Sequence, residues 1–508
     1  MTAAVPAAQT WFDRGLAWCY GFHHDEARRC FTAAAEADPG CAMAQWGLAY
    51  AAGPHINNMA MSPEAAQAAH AAAQRAVALA AGASPLERGL IDAIAVRYAW
   101  PAPADRSQLD LAYANAMRAV YAAHGSHPDV AALFAEALMD LRPWDLWQAD
   151  GSPQPETPEI LQVLETLLAA HPRHPQANHL YVHAVEASRQ PERAIAAAER
   201  LRELAPAIGH LVHMPAHAFL RVGRYEDAAA ANRRGIAADL ATVARTGRGG
   251  FFEIYRAHNY HFLAYAAMFA GRGDEALAAA RELLRELPMD TVRAMPEFLE
   301  AFLAVPYHVL VRFGRWQEML AEPEPADWQK SRRAFWHYGR AVALAALGRV
   351  DDARAERDAF RRAAAAVPAE WMLANNPLAK VLAIGDAFVD GEVEFRAGNR
   401  ARAFASLRRA VELDDALRYD EPWGWMMPVR HGLGALLLEA GEVAEAESVY
   451  RRDLERHPEN GWALRGLAEC LERRGDAAGA ATAMARHAAA WRHAEAPIAA
   501  SCYCRRGA

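Results

Sequence analysis

The stretch WFDRGLAWCYGFHHDEARRCFTAAAEADP, residues 11–39, decides the predicted fold. It combines large, small and aromatic residues with the pattern A-x3-F-x2-A and a closing proline. Gly15 and Ala27 are small enough to let two helices approach closely, and Phe31 can fill the space between them. Pro39 stops the second helix because proline cannot continue its hydrogen bonding. The stretch therefore predicts a pair of closely packed helices.

The turn inside this pair recurs along the chain as a glycine, a short spacer and an alanine. The copies are VGRYEDA at 222–228, AGRGDEA at 270–276, FGRWQEM at 313–319 (degenerate), LGRVDDA at 347–353, AGNRARA at 397–403, AGEVAEA at 440–446 and RGDAAGA at 474–480. The intervals from Gly314 to Gly348 and from Gly441 to Gly475 are both 34 residues. We expect each glycine to end the first helix of its pair with a positive φ. GRGDEA also fits a loose dinucleotide fingerprint, but helical sequence lies on both sides, whereas a Rossmann loop must follow a strand.

Composition and charge exclude several classes of protein. The chain has 508 residues, with 54 Lys and Arg against 62 Asp and Glu, so its net charge is −8. A nucleic-acid binder should carry an excess of basic residues, so we expect no nucleic-acid partner. No apolar run reaches the ~18 residues of a membrane-spanning helix, and the first residues do not resemble a secretory signal. Six cysteines are too few for a disulfide scaffold. We therefore expect a cytoplasmic protein with no membrane partner.

The chain resembles the long bacterial tetratricopeptide-repeat (TPR) domain proteins, a largely uncharacterised family, over nearly its complete length. The likeness is carried by residues 25–54 (DEARRCFTAAAEADPGCAMAQWGLAYAAGP), 141–147 (LRPWDLW), 178–188 (NHLYVHAVEAS), 209–225 (GHLVHMPAHAFLRVGRY), 257–262 (AHNYHF), 419–425 (YDEPWGW) and 501–504 (SCYC). This resemblance implies an all-α fold, a TPR-type superhelical solenoid. The repeats predict about ten or more helix pairs whose stacking supplies the core.

The repeat pattern divides the chain into five segments. They are N-terminal helix pairs over 1–140, a Pro- and Trp-rich loop over 141–160, His-rich central repeats over 161–320, C-terminal repeats over 321–493, and a tail with a C-x-C motif over 494–508. We expect Trp144 and Trp147 to pack back onto the helices, either as structural anchors or as a lid over bound ligand.

Histidines concentrate on the groove-lining faces of three successive predicted repeats. They are His179, His183, His210, His213, His217, His258 and His261. The spacings H-x3-H and H-x2-H put both imidazoles on one helix face, as metal ligands require. The sequence therefore predicts a transition-metal site for zinc, copper or iron. Packed groove histidines or contacts to a bound peptide would give the same pattern. If the site exists, affinity should fall between roughly pH 7 and pH 5 as imidazoles protonate.

Other groove positions carry residues suited to acid–base chemistry or ligand binding. Glu186 and Tyr265 lie in the register of the histidines and are candidate acids, bases or supports for a ligand. His308 and His431 occupy equivalent positions in later repeats, so we expect them to contact ligand.

The loop before the helix of His431 forms a further candidate patch. Asp420, Glu421 and Arg430 surround the tryptophans of RYDEPWGWMMPVRHG. These carboxylates could orient a histidine or bind a cationic ligand, or they could simply cap the helix start.

The C-terminal segment APIAASCYCRRGA carries Cys502 and Cys504 on what we expect to be a flexible tail. A C-x-C pair can chelate zinc or copper, or form a reversible disulfide. A tail that folds into the groove would add thiolates to the histidines.

Three functions follow from these features. The first is a metal-binding groove, possibly that of a metalloenzyme acting on a small molecule or peptide. The second is a TPR adaptor that binds a peptide, for which Arg465, Glu469 and Arg473 would supply groove charges. The third is a structural scaffold for a homo-oligomer.

Overall fold

The computed structural model describes residues 1–249 and 252–506. This part of the chain is overwhelmingly α-helical, which confirms the predicted all-α class. Its strands are two residues each, β1 (Met372–Leu373) and β2 (Asn376–Pro377), and they pair antiparallel with Met372 opposite Pro377. Among the described residues, no helix is both long and apolar enough to cross a membrane.

The α-helices follow one another with short connections. The first fourteen are α1 (Pro6–Tyr20), α2 (His24–Ala37), α3 (Ala42–Ala52), α4 (Pro63–Leu79), α5 (Pro85–Val96), α6 (Ser107–His124), α7 (Pro128–Met139), α8 (Thr157–Ala170), α9 (Pro175–Glu186), α10 (Ile195–Leu204), α11 (Gly209–His213), α12 (Pro215–Arg221), α13 (Tyr225–Thr246) and α14 (Phe252–Phe269). The others are α15 (Gly273–Glu286), α16 (Met289–Ala294), α17 (Pro296–Leu299), α18 (Val305–Arg312), α19 (Trp316–Ala321), α20 (Lys330–Ala346), α21 (Val350–Ala365), α22 (Leu378–Arg396), α23 (Arg400–Asp415), α24 (Val429–Ala440), α25 (Val443–Arg456), α26 (Gly461–Arg473) and α27 (Ala477–Ala490). Single-turn 3₁₀ helices cover Ala80–Gly82, Pro191–Ala194 and Glu300–Ala304.

The helices group into two compact units. Unit 1 comprises Met1–Ala218 with Ala237–Phe252, and unit 2 comprises Phe219–Ile236 with Glu253–Ala508. The histidines of α9, α11 and α12 belong to unit 1, whereas the C-x-C motif belongs to unit 2. The five segments expected from the repeats are defined by sequence rather than by contacts, and that division stays a prediction.

Within each unit, helices pack mainly against their neighbours in sequence. Examples are α1 with α2 and α3 with α4 in unit 1, and α22 with α23 and α26 with α27 in unit 2. This is the packing of stacked helical repeats, whose core lies between successive pairs. A longer-range contact joins α1 to α9 and brings the end of α1 to the predicted histidines.

Gly15 shows how closely the first pair packs. A β-carbon on Gly15 would lie 2.6 Å from Cε1 of Phe31, so a larger residue would collide with the ring that fills the space between the helices. The second helix of this pair ends at Ala37, two residues before Pro39. Both features agree with the pattern read from residues 11–39.

The predicted turn glycines all adopt the left-handed conformation. Their φ values lie between 64° and 90°, at Gly223, Gly271, Gly314, Gly348, Gly398, Gly441 and Gly475. Gly441 directly follows α24, and its N–H bonds to a carbonyl of the last turn. Glycine is favoured here because it has no β-carbon to clash at positive φ.

Candidate metal centre

Helix α9 supplies the first part of the candidate site. Pro175 occupies its first turn, and Nδ1 of His174 accepts a hydrogen bond from a first-turn backbone N–H, which fixes where the helix starts. His179, His183 and Glu186 follow at intervals of four and three residues, so their side chains share one face.

Helices α11 and α12 supply the second part. His210 and His213 lie on α11, and His217 lies on α12 after the break at Met214 and Pro215. The residues of α9, α11 and α12 that form the site are called the histidine cluster: His179, His183, His210, His213 and His217, with Glu186. All six are buried, with at most 6% of any residue exposed. Their side chains are thus enclosed by protein, and the expectation that they line a concave groove stays a prediction.

Hydrogen bonds fix the tautomers of three imidazoles. Nδ1 of His179 lies 2.8 Å from the backbone carbonyl oxygen of Tyr20, at the end of α1. Nδ1 of His183 lies 2.9 Å from one oxygen of Glu186, and Nδ1 of His217 lies 2.5 Å from the other. Carbonyl and carboxylate oxygens only accept, so each Nδ1 carries the hydrogen. Each neutral ring therefore keeps the lone pair on Nε2.

The Nε2 atoms converge inside unit 1. Nε2 of His179 lies 3.1 Å from Nε2 of His210, and Nε2 of His217 lies 2.9 Å from Nε2 of His213. Within the described part of the chain, Nε2 of His183 is buried and has no hydrogen-bond partner. Two nitrogens bound to one tetrahedral ion at about 2.0–2.1 Å would lie about 3.3 Å apart. The observed separations are close to this value.

Within unit 1, two sets of three side chains are compact enough to share one ion. The ligand atoms of His179, His183 and His210 lie within 4.8 Å of one another, and so do those of His183, Glu186 and His217. His183 is common to both sets. Since the oxygens of Glu186 already accept from two imidazoles, its geometry suits a carboxylate that orients ligands better than a ligand itself.

Burial sets the charge state of the cluster. It lowers the pKa values of His179 and His210 well below the usual value, and lowers the pKa of His183 although Glu186 opposes the shift. Burial also disfavours ionised Glu186, but interactions with His217 and His183 outweigh it and hold the pKa of this carboxyl at about 2. Neutral imidazoles beside an ionised carboxylate are competent to bind a cation at neutral pH. The release range of pH 7 to pH 5 expected from sequence therefore shifts to lower pH.

The cluster also contacts residues that the sequence patterns did not reveal. Phe22 lies against the rings of His179 and His55, with centroid distances of 4.6 and 4.4 Å. His55 is buried, and its Nδ1 accepts the N–H of Asn57 (3.3 Å). His55 and Phe22 lie in loops, outside the helical positions used to find the other histidines. The contacts of α1 with α3 and with α9 bring this region together.

A small pocket opens beside His183 and Glu186. The other residues that line it are Ile56, Met139, Arg142, Trp144, Leu146, Trp147 and Ala187. Trp144 packs edge-on against His183 (5.3 Å between centroids), and its Nε1 donates to Asn57 (3.0 Å). Nε1 of Trp147 donates to the carbonyl of Ala184 (2.8 Å). Both tryptophans thus pack back onto the helices, and Trp144 also borders the pocket.

The other two predicted histidine ligands, His258 and His261, belong to unit 2. His258 is half-buried beside Phe262, and His261 is buried edge-on against Phe302 (5.3 Å). Burial lowers the pKa of His261 to about 3. Their participation in a metal site stays a prediction.

The candidate acid Tyr265 and the candidate ligand contact His308 are core residues of unit 2. Tyr265 is buried against Phe269, and burial raises its pKa. His308 packs edge-on against Trp425 (5.2 Å), and burial lowers its pKa to about 4. These contacts account for both residues as packing elements.

Residues 420–431 form hydrogen-bonded contacts within unit 2. Both guanidinium Nη atoms of Arg430 bond to Asp415, at 2.7 and 2.6 Å. Nε2 of buried His431 lies 2.7 Å from Asp453. Asp420 accepts from the N–H of Asn375 and the amide of Asn376, which joins its loop to the β1–β2 hairpin. Glu421 lies next to Asp420 at the same turn. These hydrogen bonds hold the loop before α24 and the start of α24 in place.

Asp420 should make the stability of unit 2 depend on pH. Burial raises the pKa of Asp420 to about 7 although hydrogen bonds to the two asparagines oppose the shift. Between the unfolded pKa of about 3.9 and this value, the folded state holds a proton that the unfolded state has lost, so stability falls as pH rises. We expect the thermal midpoint of Asp420→Asn minus that of the wild type to increase as the pH rises from 5 to 8. A constant difference between the two midpoints over this range would contradict the assignment.

The C-terminal tail is folded, so the expectation that it is flexible is wrong. Cys502 and Cys504 are buried in the core of unit 2 and joined as a disulfide, while the last two residues lie outside the described chain. Arg505 bonds to both oxygens of Glu469, at 2.6 and 2.9 Å, and Arg473 also pairs with Glu469. Arg505 of the tail thus pairs with Glu469, one of the charges that the adaptor hypothesis assigned to peptide binding.

The comparisons with known proteins concern the fold. A family model described as a tetratricopeptide repeat matches residues 437–496. No curated protein matches the chain significantly. Solved structures that it resembles include a human IFIT1 dimer with m7Gppp-AAAA (13% identity, 88% of this chain and 89% of that chain, TM-score 0.37). A monomeric IFIT1 mutant with the same RNA is similar at 12% identity (88% and 90% of the chains, TM-score 0.38).

At these identities and TM-scores, the likeness to IFIT1 says nothing about what this chain binds. The family match over 437–496 covers α25, α26 and α27, where paired helices flank the left-handed turns at Gly441 and Gly475. The same paired helices and glycine turns recur through unit 2. The chain therefore contains a tetratricopeptide repeat over residues 437–496.

Proposed function

We propose that unit 1 binds a first-row transition metal through the histidine cluster and presents it to a small molecule or peptide end in the adjoining pocket. The TPR fold itself suits the binding of a protein or ligand. The metal-dependent function goes further, and one observation carries it: Nδ1 of buried His183 is held by Glu186, and within the described residues its Nε2 has no hydrogen-bond partner.

The donor set fits a transition metal. A ligand histidine in known metal sites almost always donates its other ring N–H to a carboxylate or carbonyl. Glu186 and the carbonyl of Tyr20 fill these roles for His183 and His179. Imidazole suits zinc, copper and iron, and disfavours magnesium and calcium, which prefer oxygen. Within the described residues, Nε2 of His183 is buried and has no hydrogen-bond partner, which costs free energy unless it binds an ion.

The pocket supports access to such a centre. Its walls are mainly apolar, and it reaches His183 and Glu186 past Trp144 and Trp147. A small molecule or peptide end that reached this pocket would contact His183 and Glu186, as a metalloenzyme function would require. Bound metal would supply Lewis acidity, while Glu186 would hold two imidazoles in the ligating tautomer.

The test is metal analysis of the full-length protein purified without a histidine tag. We expect zinc, copper or iron at about one ion per chain, or stoichiometric uptake of Zn²⁺ after treatment with a chelator. We expect Glu186→Gln to weaken binding about 10–100-fold, the range found when a group that orients a ligand is lost. Failure of the untagged protein to retain or take up any metal would refute the proposal, and peptide binding under the same conditions would favour the adaptor.

A further inference from the structure

The buried tail of unit 2 holds two sulfur atoms in a fixed position. The hydroxyl of Ser501 donates to the carbonyl of His431 (2.8 Å), and Arg312 donates to the carbonyl of Ser501 (3.3 Å). Arg396 donates to the carbonyl of Cys504. These bonds anchor the backbone on both sides of Cys502 against the core of unit 2. The backbone of the C-x-C motif is therefore held in a defined position in the core of unit 2.

A carboxylate without a hydrogen-bond partner faces these sulfurs. Glu392, on α22, is fully buried, and within the described chain neither of its side-chain oxygens has a hydrogen-bond partner. One of these oxygens and the sulfurs of Cys502 and Cys504 all lie within 4.8 Å of one another. A buried carboxylate costs several kcal/mol unless a cation or donors compensate it. This arrangement offers three ligand atoms to a cation.

We infer that Cys502, Cys504 and Glu392 form a second metal site, which binds a zinc-like divalent ion when the two cysteines are reduced. Thiolates select soft or borderline ions, and a carboxylate oxygen is an accepted partner in zinc sites. Around a tetrahedral zinc ion, sulfur and oxygen ligands would lie about 3.5–3.8 Å apart. The flexible side chain of Glu392 can supply the remaining movement. Two thiolates and one carboxylate carry three negative charges. A divalent ion would offset two of them beside Arg396, whose guanidinium also pairs with Glu439.

The disulfide makes this site redox-dependent. The sulfurs bond to each other in the structure, and a disulfide has no thiolate to offer a metal. Reduction by a trialkylphosphine and water gives two thiols and one phosphine oxide, with water supplying the oxygen and two protons. Binding a divalent ion then replaces both thiol protons, which are released to solvent. Disulfide and bound metal are therefore mutually exclusive states.

Co²⁺ titration of the full-length, untagged protein tests this site separately from the histidine cluster. Thiolate ligands give cobalt a near-ultraviolet charge-transfer band that imidazoles do not give. We expect this band in phosphine-reduced protein and not in oxidised protein. Cobalt bound to the histidine cluster would add a second ion without the band, so failure of either site is visible by itself.

Matched variants complete the test. Cys502→Ser with Cys504→Ser should abolish the band, and Glu392→Gln should weaken cobalt binding at this site by at least about tenfold. Cys470→Ser removes another buried thiol of unit 2 and should leave the band unchanged. Circular dichroism checks that each variant remains helical, and Glu392→Asp, which keeps the charge, should retain part of the affinity if Glu392→Gln unfolds. Absence of the band from reduced wild-type protein, its persistence in the double serine variant, or affinity in folded Glu392→Gln equal to that of the wild type would overturn the inference.

Discussion

Replacing His183 by Ala is expected to lower the affinity of unit 1 for a divalent transition metal by more than about a hundredfold. His183 belongs to both compact sets of candidate ligands, and its buried Nε2 has no partner within the described chain. Loss of a direct ligand should exceed the 10–100-fold cost of losing a group that orients one. Isothermal titration of oxidised, untagged protein with Zn²⁺ measures the change, because oxidation removes the thiolates of the tail.

A suitable control is His171→Ala, since His171 is an exposed histidine of the same unit, just after α8. It should bind zinc like the wild type. His183→Ala should keep its helical content, because packing between helices rather than an ion holds the repeats together. Because burial lowers the pKa of His183, its protonation should release zinc only at a lower pH than protonation of an ordinary histidine would. Equal zinc affinity in His183→Ala and His171→Ala would remove the basis for a metal centre in unit 1.

Replacing Asp140 by Ala should destabilise unit 1 by about 3–5 kcal/mol, the usual cost of leaving one member of a buried ion pair alone. Nη2 of Arg97 lies 2.7 Å from Asp140, and both side chains are almost completely buried. Arg97 also donates to the carbonyl of Pro54 and stacks on Tyr113. Without Asp140, its guanidinium would keep these contacts but lose its countercharge. Urea unfolding followed by circular dichroism measures the change.

The exposed ion pair between Arg118 and Glu159 provides the control within the same unit. Glu159→Ala should cost less than about 1 kcal/mol because water screens this pair. A double variant, Arg97→Met with Asp140→Leu, should lose less stability than Asp140→Ala, since it removes both members of the ion pair instead of leaving Arg97 alone. If Asp140→Ala costs no more than Glu159→Ala, the buried pair does not stabilise unit 1.

Local patterns were enough to predict the helical class and many of the turns. Residues 11–39 specify a pair of helices because small residues at the crossing and a proline at the end act over a few turns. The seven turn glycines were predictable for the same reason, since a positive φ is a property of a single residue. The spacing of His179 and His183 likewise fixed one shared face of α9.

Contacts between distant segments decided what those histidines can do. The sequence could not show that Tyr20 holds Nδ1 of His179, or that Glu186 accepts from both His183 and His217, because these partners meet only when α1, α9 and α12 pack. It placed the histidines on one predicted groove face, but it could not show that all of them are buried, or that Phe22 and Trp144 pack against His179 and His183.

The sequence by itself therefore determined the elements of this protein: paired helices, their left-handed turns and a face rich in imidazole. The tertiary structure alone decided which nitrogens keep a lone pair, and it placed Glu392 beside Cys502 and Cys504 in a buried tail. The physical reason is one of range. Helix periodicity and backbone conformation are set by neighbouring residues, whereas burial and hydrogen-bond partners arise from segments that can be more than a hundred residues apart.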